Sequence, residues 1–144
     1  MTWAYFDTSA LIKRYVDEAG RHQVLRLLRR HHCVTSALSP VEFRSALRRR
    51  VTDRTIDARR VPGILKRLAT DRDFWASIEV TGEVLQAAER LVATHPLRTL
   101  DAIHVASAEV FADRLAAELT FVSADARQTA VAAVLGMATE DIRS

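Results

Sequence analysis

Leu119-Thr120-Phe121-Val122-Ser123-Ala124-Asp125 opens as an apolar, β-rich run and closes on two residues that favour turns and helix caps. From Asp125 to Leu135 the apolar residues fall at helical spacing, and Gly136 stops the pattern. A short buried strand passing straight into a helix is the repeating unit of a parallel sheet covered by helices. The chain opens in the same way. Trp3 to Phe6 reads as a buried strand ending at Asp7, after which Ala10, Leu11, Ile12, Tyr15 and Val16 keep helical spacing until Gly20.

Between these two units the alternation continues. A helix is expected over Gln23 to Arg30, a strand over Cys33-Val34-Thr35, and a helix from Ser39-Pro40-Val41-Glu42 to about Val51. Ser39 can cap that helix, Pro40 suits its first position, and Glu42 can reach back as the second half of a capping box. Asp57 to Leu68 reads as a helix whose first half Pro62-Gly63 weakens. A strand at Ser77 to Val80, helices at Gly82 to Thr94 and Leu100 to Leu115, and a short edge strand in the last residues complete the pattern. The fold class is therefore α/β with a mostly parallel sheet. With no repeat, low-complexity tract or long linker, residues 1–144 are expected to form a single domain.

Hydrophobic residues make up 49% and charged residues 27% of the 144, which argues against a disordered or fibrous chain. The lone Cys33 excludes an internal disulfide and a cysteine-built zinc site. No basic-then-apolar leader and no apolar run of the roughly 20 residues a membrane helix needs are visible, so a soluble, cytoplasmic protein is expected. The net charge of +3 is unevenly spread: Arg44 to Arg67 holds nine basic residues against Asp53 and Asp57. Such a segment beside acidic groups suits an enzyme acting on a polyanion; a solvated helix face is the other reading.

In parallel α/β folds, sites gather at the carboxyl ends of strands, where helices begin. Four acids are expected there: Asp7, Glu42, Asp101 and Asp125. Each has a structural alternative. Asp7 and Asp125 can cap helices, Glu42 can close the capping box, and Asp101 can sit in a first turn favoured by the helix dipole. His104, one turn beyond Asp101, reads as a partly buried, hydrogen-bonded histidine rather than a ligand. If the four carboxylates converged, they would repel one another unless a cation lay between them, and hard divalent ions prefer such oxygens.

Four local strings point further. Tyr5-Phe6-Asp7-Thr8-Ser9-Ala10-Leu11-Ile12-Lys13, Ser39-Pro40-Val41-Glu42-Phe43-Arg44-Ser45-Ala46-Leu47, Leu97 to Ala108, and Phe121-Val122-Ser123-Ala124-Asp125 resemble, in order, the four blocks of PIN-domain ribonucleases, specifically VapC toxins. The resemblance implies a three-layer α/β/α sandwich, a magnesium- or manganese-dependent endoribonuclease, an antitoxin partner and a homodimer. It assigns Asp7, Glu42, Asp101 and Asp125 to metal and catalysis, and Ser123 to the family's hydroxyl position. Lys13, Arg14, Arg44 and Arg48 are candidate phosphate contacts. Arg48 to Trp75 matches no family block, so substrate choice is unassigned. Two aspartate-based rivals fit poorly. A haloacid-dehalogenase-type phosphatase wants a second aspartate where Ser9 stands, and a receiver domain wants a late lysine, whereas Lys13 and Lys66 are the only lysines. A non-catalytic RNA-binding module remains the alternative from another class.

Overall fold

The computed structural model describes residues 1–142; Arg143 and Ser144, which the single-domain expectation includes, lie outside the described residues. Five strands form one sheet: β1 (Thr2–Phe6), β2 (His31–Ser36), β3 (Ala76–Ile78), β4 (Leu119–Ser123) and β5 (Ala138–Asp141). Their order is β3-β2-β1-β4-β5 and every pairing is parallel. Seven α-helices flank the sheet: α1 (Thr8–Leu11), α2 (Arg21–Arg30), α3 (Ser39–Thr52), α4 (Val61–Arg72), α5 (Gly82–Thr94), α6 (Thr99–Leu115) and α7 (Ala126–Val134).

Alternation along the strands divides the core. Tyr5, Val34 and Phe121 share one cluster with Val84 and Leu91 of α5, Val105 of α6 and Val131 of α7. Ala4, Phe6, Cys33 and Val122 point the other way, onto Leu11 of α1 and Val24 and Leu27 of α2. This period-two split produces the three-layer sandwich. Stacking of Tyr5 on Phe121, with ring centroids 5.5 Å apart, ties β1 to β4 on the first face. A third cluster, built on Tyr15, Phe43, Leu47, Ile64 and Leu68, seats α3 and α4 beside the turn that follows α1.

Two elements depart from the expected pattern. The helix foreseen from Ala10 to Val16 is a four-residue α1 that tightens into a 3-10 turn over Ile12–Arg14. Pro62 does not weaken α4: it occupies the first turn, where a missing N–H costs nothing, and the helix runs on to Arg72. Gly20 is held at φ 91° ahead of α2, and a Cβ there would lie 2.6 Å from Ile142 Cγ2. Only glycine meets both demands. Among the described residues no helix is long and apolar enough to cross a membrane.

Candidate active site

β1 is the switch point of the sheet, with chain connections leaving toward β2 on one side and β4 on the other. Crevices form at the carboxyl ends of strands at such points. Asp7 follows β1 directly, and its backbone N–H donates to Val122 O of β4 at 3.1 Å. Its side chain caps α1, accepting from Ala10 N at 3.2 Å, and both carboxylate oxygens accept from Ser9 Oγ at 2.8 and 2.9 Å. Asp7 is only 4% exposed. Burial pushes its pKa up, against the pull of the His104 charge and the Ser9 bond.

Glu42 does not close a capping box. Ser39 lies inside α3 rather than ahead of it, Leu38 occupies the cap position without a side-chain bond, and Ser39 Oγ is 2.6 Å from Thr35 Oγ1. Glu42 Oε1 instead accepts from Thr8 Oγ1 at 2.8 Å and from His104 Nε2 at 2.5 Å. An imidazole and a partly buried hydroxyl are stronger partners for a carboxylate than one amide at a frayed helix end. Burial alone would raise the Glu42 pKa, but the His104 bond and charge hold it below the ordinary value.

His104 is 2% exposed and spans the gap between two elements: Nδ1 faces Tyr5 Oη at 2.7 Å, while Nε2 faces Glu42. Because an ionised Glu42 only accepts, Nε2 carries the hydrogen. Burial lowers the His104 pKa, yet Glu42 and the nearby Asp7 charge together drive it above its ordinary value. The hydrogen-bonded histidine expected from the sequence is present, but it is fully rather than partly buried.

Asp101 stands in the first turn of α6, as expected, but makes no cap bond. Its Oδ1 accepts from Gln128 Nε2 at 3.3 Å. Burial and then the Asp125 charge raise its pKa. Asp125 caps α7 through Arg127 N at 2.9 Å, with the Arg127 guanidinium 3.9 Å from the same oxygen. Ser123 is fully buried; its hydroxyl accepts from Asp125 N at 2.9 Å and donates to Gln128 Oε1 at 2.6 Å, so it orders the turn. Ser9 closes the circuit by accepting from Ala124 N at 3.1 Å.

Capping and clustering therefore coexist: two of the four acids are true caps, Ser9, Ser123 and Gln128 link Asp7, Asp101 and Asp125, and His104 bonds Glu42 while its charge acts on Asp7, Glu42 and Asp101. Of these linkers, Ser9 could have been suspected from standing two residues after Asp7. Gln128 carries no local signal, because its partner Asp101 is 27 residues away. Lys13 and Arg14 are already committed, to Glu18 and Asp71 respectively. Arg44 and Arg48 are exposed and flank a shallow apolar groove with Val51, Val61 and Leu65. Different cations lower the acids' pKa values: Arg49 acts on Glu42, and Arg127 and Arg98 act on Asp101. Arg49 sits seven residues after Glu42 on the same helical face, a spacing visible in the sequence.

Among the described residues no three His, Cys, Asp or Glu side chains stand close enough to enclose an ion by themselves. The donor set is nevertheless right for magnesium or manganese. It consists of carboxylate oxygens, two of which burial holds above their ordinary pKa, and such ions keep several waters as ligands.

These shifts give a testable sign. Asp7 and Asp101 have folded pKa values above 3.8, and His104 has one above 6.5. For each, the folded state holds its proton more tightly, so its contribution is present at low pH and lost as pH rises through the folded value. Glu42 has the opposite sign and loses its contribution as pH falls below 4.5. The metal-free protein is therefore expected to melt progressively lower as pH rises above the ordinary values of Asp7, Asp101 and His104, as read by calorimetry. A melting temperature that climbs from pH 5 to 8 without metal would contradict this account.

The PIN domain profile matches residues 4–134. The chain belongs to the PIN-domain family. Its four acids lie within that span, and the five-stranded parallel sheet with flanking helices is the PIN-like sandwich. Among solved structures it is similar to a toxin–antitoxin complex from Klebsiella pneumoniae (18% identity, 88% of this chain and 90% of that chain covered, TM-score 0.62). It is also similar to a protein from Pyrobaculum aerophilum (19%, 98% and 84%, 0.66) and to the sarcin–ricin-loop-cleaving toxin VapC20 of Mycobacterium tuberculosis (19%, 89% and 94%, 0.63). These likenesses show the PIN fold. No curated protein sequence matches the chain.

Proposed function

We propose that this PIN domain is a magnesium- or manganese-dependent endoribonuclease and the toxin of a toxin–antitoxin pair in the cytoplasm. The observation that carries the reading is that Asp7, Glu42, Asp101 and Asp125, from four separate segments, lie at the carboxyl edge of the sheet: Ser9, Ser123 and Gln128 link Asp7, Asp101 and Asp125, while His104 bonds Glu42 and acts by its charge on Asp7, Glu42 and Asp101. Likeness to a toxin–antitoxin complex and to an RNA-cleaving toxin supports RNA as the substrate and an antitoxin as the partner. Pairing of two copies is carried over from the family resemblance.

Asp7 and Asp101 are the principal metal-holding groups, with Glu42 and Asp125 completing the set. When bound, the ion supplies an activated water and Lewis-acid charge for hydrolysis of a phosphodiester. Ser9 and Ala10 N fix Asp7, Thr8 and His104 fix Glu42, and Gln128 fixes Asp101, so little reorganisation is needed. Arg49, Arg98 and Arg127 provide positive field beside the acids and are better placed than Lys13 or Arg14 to receive phosphate. The products are a 5′-phosphate and a 3′-hydroxyl.

The test is metal removal. Purified protein should cut single-stranded RNA with magnesium or manganese, stop in chelator, and resume when either ion is restored. RNA binding without cutting under all three conditions would replace the enzyme by a binding module. Growth arrest on expression, relieved by a small protein encoded beside it, separates a toxin from an RNA-processing nuclease.

A further inference from the structure

Away from the acids, α2 and α4 flank a cleft on the α1–α2 side of the sheet. It consists of two cavities of about 300 and 290 Å³ that share Arg14, Leu25 and Asp71. The first is lined by Tyr15, Arg21, Lys66 and Arg67; the second runs on past Arg29 to Phe74 and Trp75. Five of the lining side chains are arginine or lysine against one acid, and that acid, Asp71, is taken up by Arg14 and by the Tyr15 hydroxyl. Arg67 stacks on Tyr15 and bonds its carbonyl. Arg21, Arg29 and Lys66 form no ion pair among the described residues.

At the far end Phe74 is 83% exposed, the highest exposure among the large apolar side chains. An aromatic ring held in water beside unpaired cations gains nothing for the fold. Single-stranded nucleic acid supplies what both lack: phosphates for the cations and a base face for the ring. A purely acidic peptide such as polyglutamate would answer the charges but leave Phe74 unused.

We propose that the α2–α4 cleft is a second RNA-binding track, holding a single-stranded segment of the substrate outside the acid cluster, with Arg29 and Lys66 on phosphates and a base stacked on Phe74. The cleft begins close to the chemistry. Arg14 follows Asp7 by one short helix and one 3-10 turn, a rise on the order of 10 Å. From Arg14 the cleft runs past His31 and His32 toward the amino end of β2, so an RNA strand reaching from the acids to Phe74 must span the height of the sheet, roughly 20 Å. The inference rests on the nuclease reading for its substrate, but its binding test does not depend on cutting.

The measurement is fluorescence anisotropy with a labelled single-stranded RNA of about 15 nucleotides, in chelator so that nothing is cut. Phe74→Ala should weaken binding roughly tenfold with an unchanged salt slope, because it removes stacking and no charge. Arg29→Gln with Lys66→Gln should weaken it by a similar factor at low salt and flatten the slope by roughly 1.4, two phosphates' worth. All three side chains project from the surface, so melting temperatures should match the parent. Wild-type affinity in either variant overturns the inference, as does preference for a polyglutamate peptide over RNA. If the variants weaken binding but the parent never cuts RNA with any divalent ion, the nuclease reading fails and the track stands. If the parent cuts RNA and the variants bind normally, the reverse holds.

Discussion

Asp101→Asn should lower RNA cutting on the order of a thousandfold or more while leaving the fold intact. Asp101 is the cleanest of the four acids to test, because it alone combines a raised pKa with freedom from any capping role. Its surroundings already favour the neutral form, and asparagine retains the oxygen that accepts from Gln128 Nε2. The metal-free melting temperature should therefore hold or rise, and the lift given by magnesium should shrink. Asp7→Asn is expected to be equally inactive, but it also places an amide against Ser9 Oγ in a buried pocket, so some stability is lost as well. Asp101→Asn protein that cuts RNA at a tenth of the parental rate or better would remove Asp101 from the machinery.

His104→Ala is expected to cost about 2–3 kcal/mol of stability in a denaturant titration. The imidazole is buried, so its loss leaves a cavity and strips Tyr5 Oη of its 2.7 Å partner. The Glu42 contribution is smaller, since that side chain is 24% exposed and water can replace part of what is lost. Cutting should fall about tenfold to a hundredfold, the usual consequence of releasing a metal-site carboxylate from its orienting partner. His104→Gln, which can still donate to Glu42, should recover more activity than stability. A His104→Ala protein that melts like the parent would show that the bridge between β1 and α3 is not needed.

How far the residues alone foretold this site depends on the range of each interaction. Strand ends and helix starts at Asp7, Asp101 and Asp125 follow from local periodicity, and these are where the structure puts them. The capping box at Glu42 was an equally local inference and fails, because Thr8 and His104 arrive from 34 and 62 residues away. The same limit hid Gln128. Of the basic residues, Lys13 and Arg14 looked free only because Glu18 and Asp71 become their partners after folding. Arg49 was within reach of a helical-face argument. The cleft depends on α2 and α4 meeting across the turn after α1, which no local pattern encodes.

The placement of β1 between an early and a late strand has a consequence in time. β2 is available once the chain has grown to Ser36, but β4, which receives the Asp7 N–H through Val122, is made more than 110 residues after β1. Any nascent chain that stops before Leu119 lacks one of the four acids and the strand that seats another. During synthesis, which proceeds at about 5–20 residues per second, the stretch from β1 to β4 emerges beside ribosomal RNA without a finished cutting centre. An RNA-cleaving protein with this strand order has no finished cutting centre until β4 and Asp125 have been made.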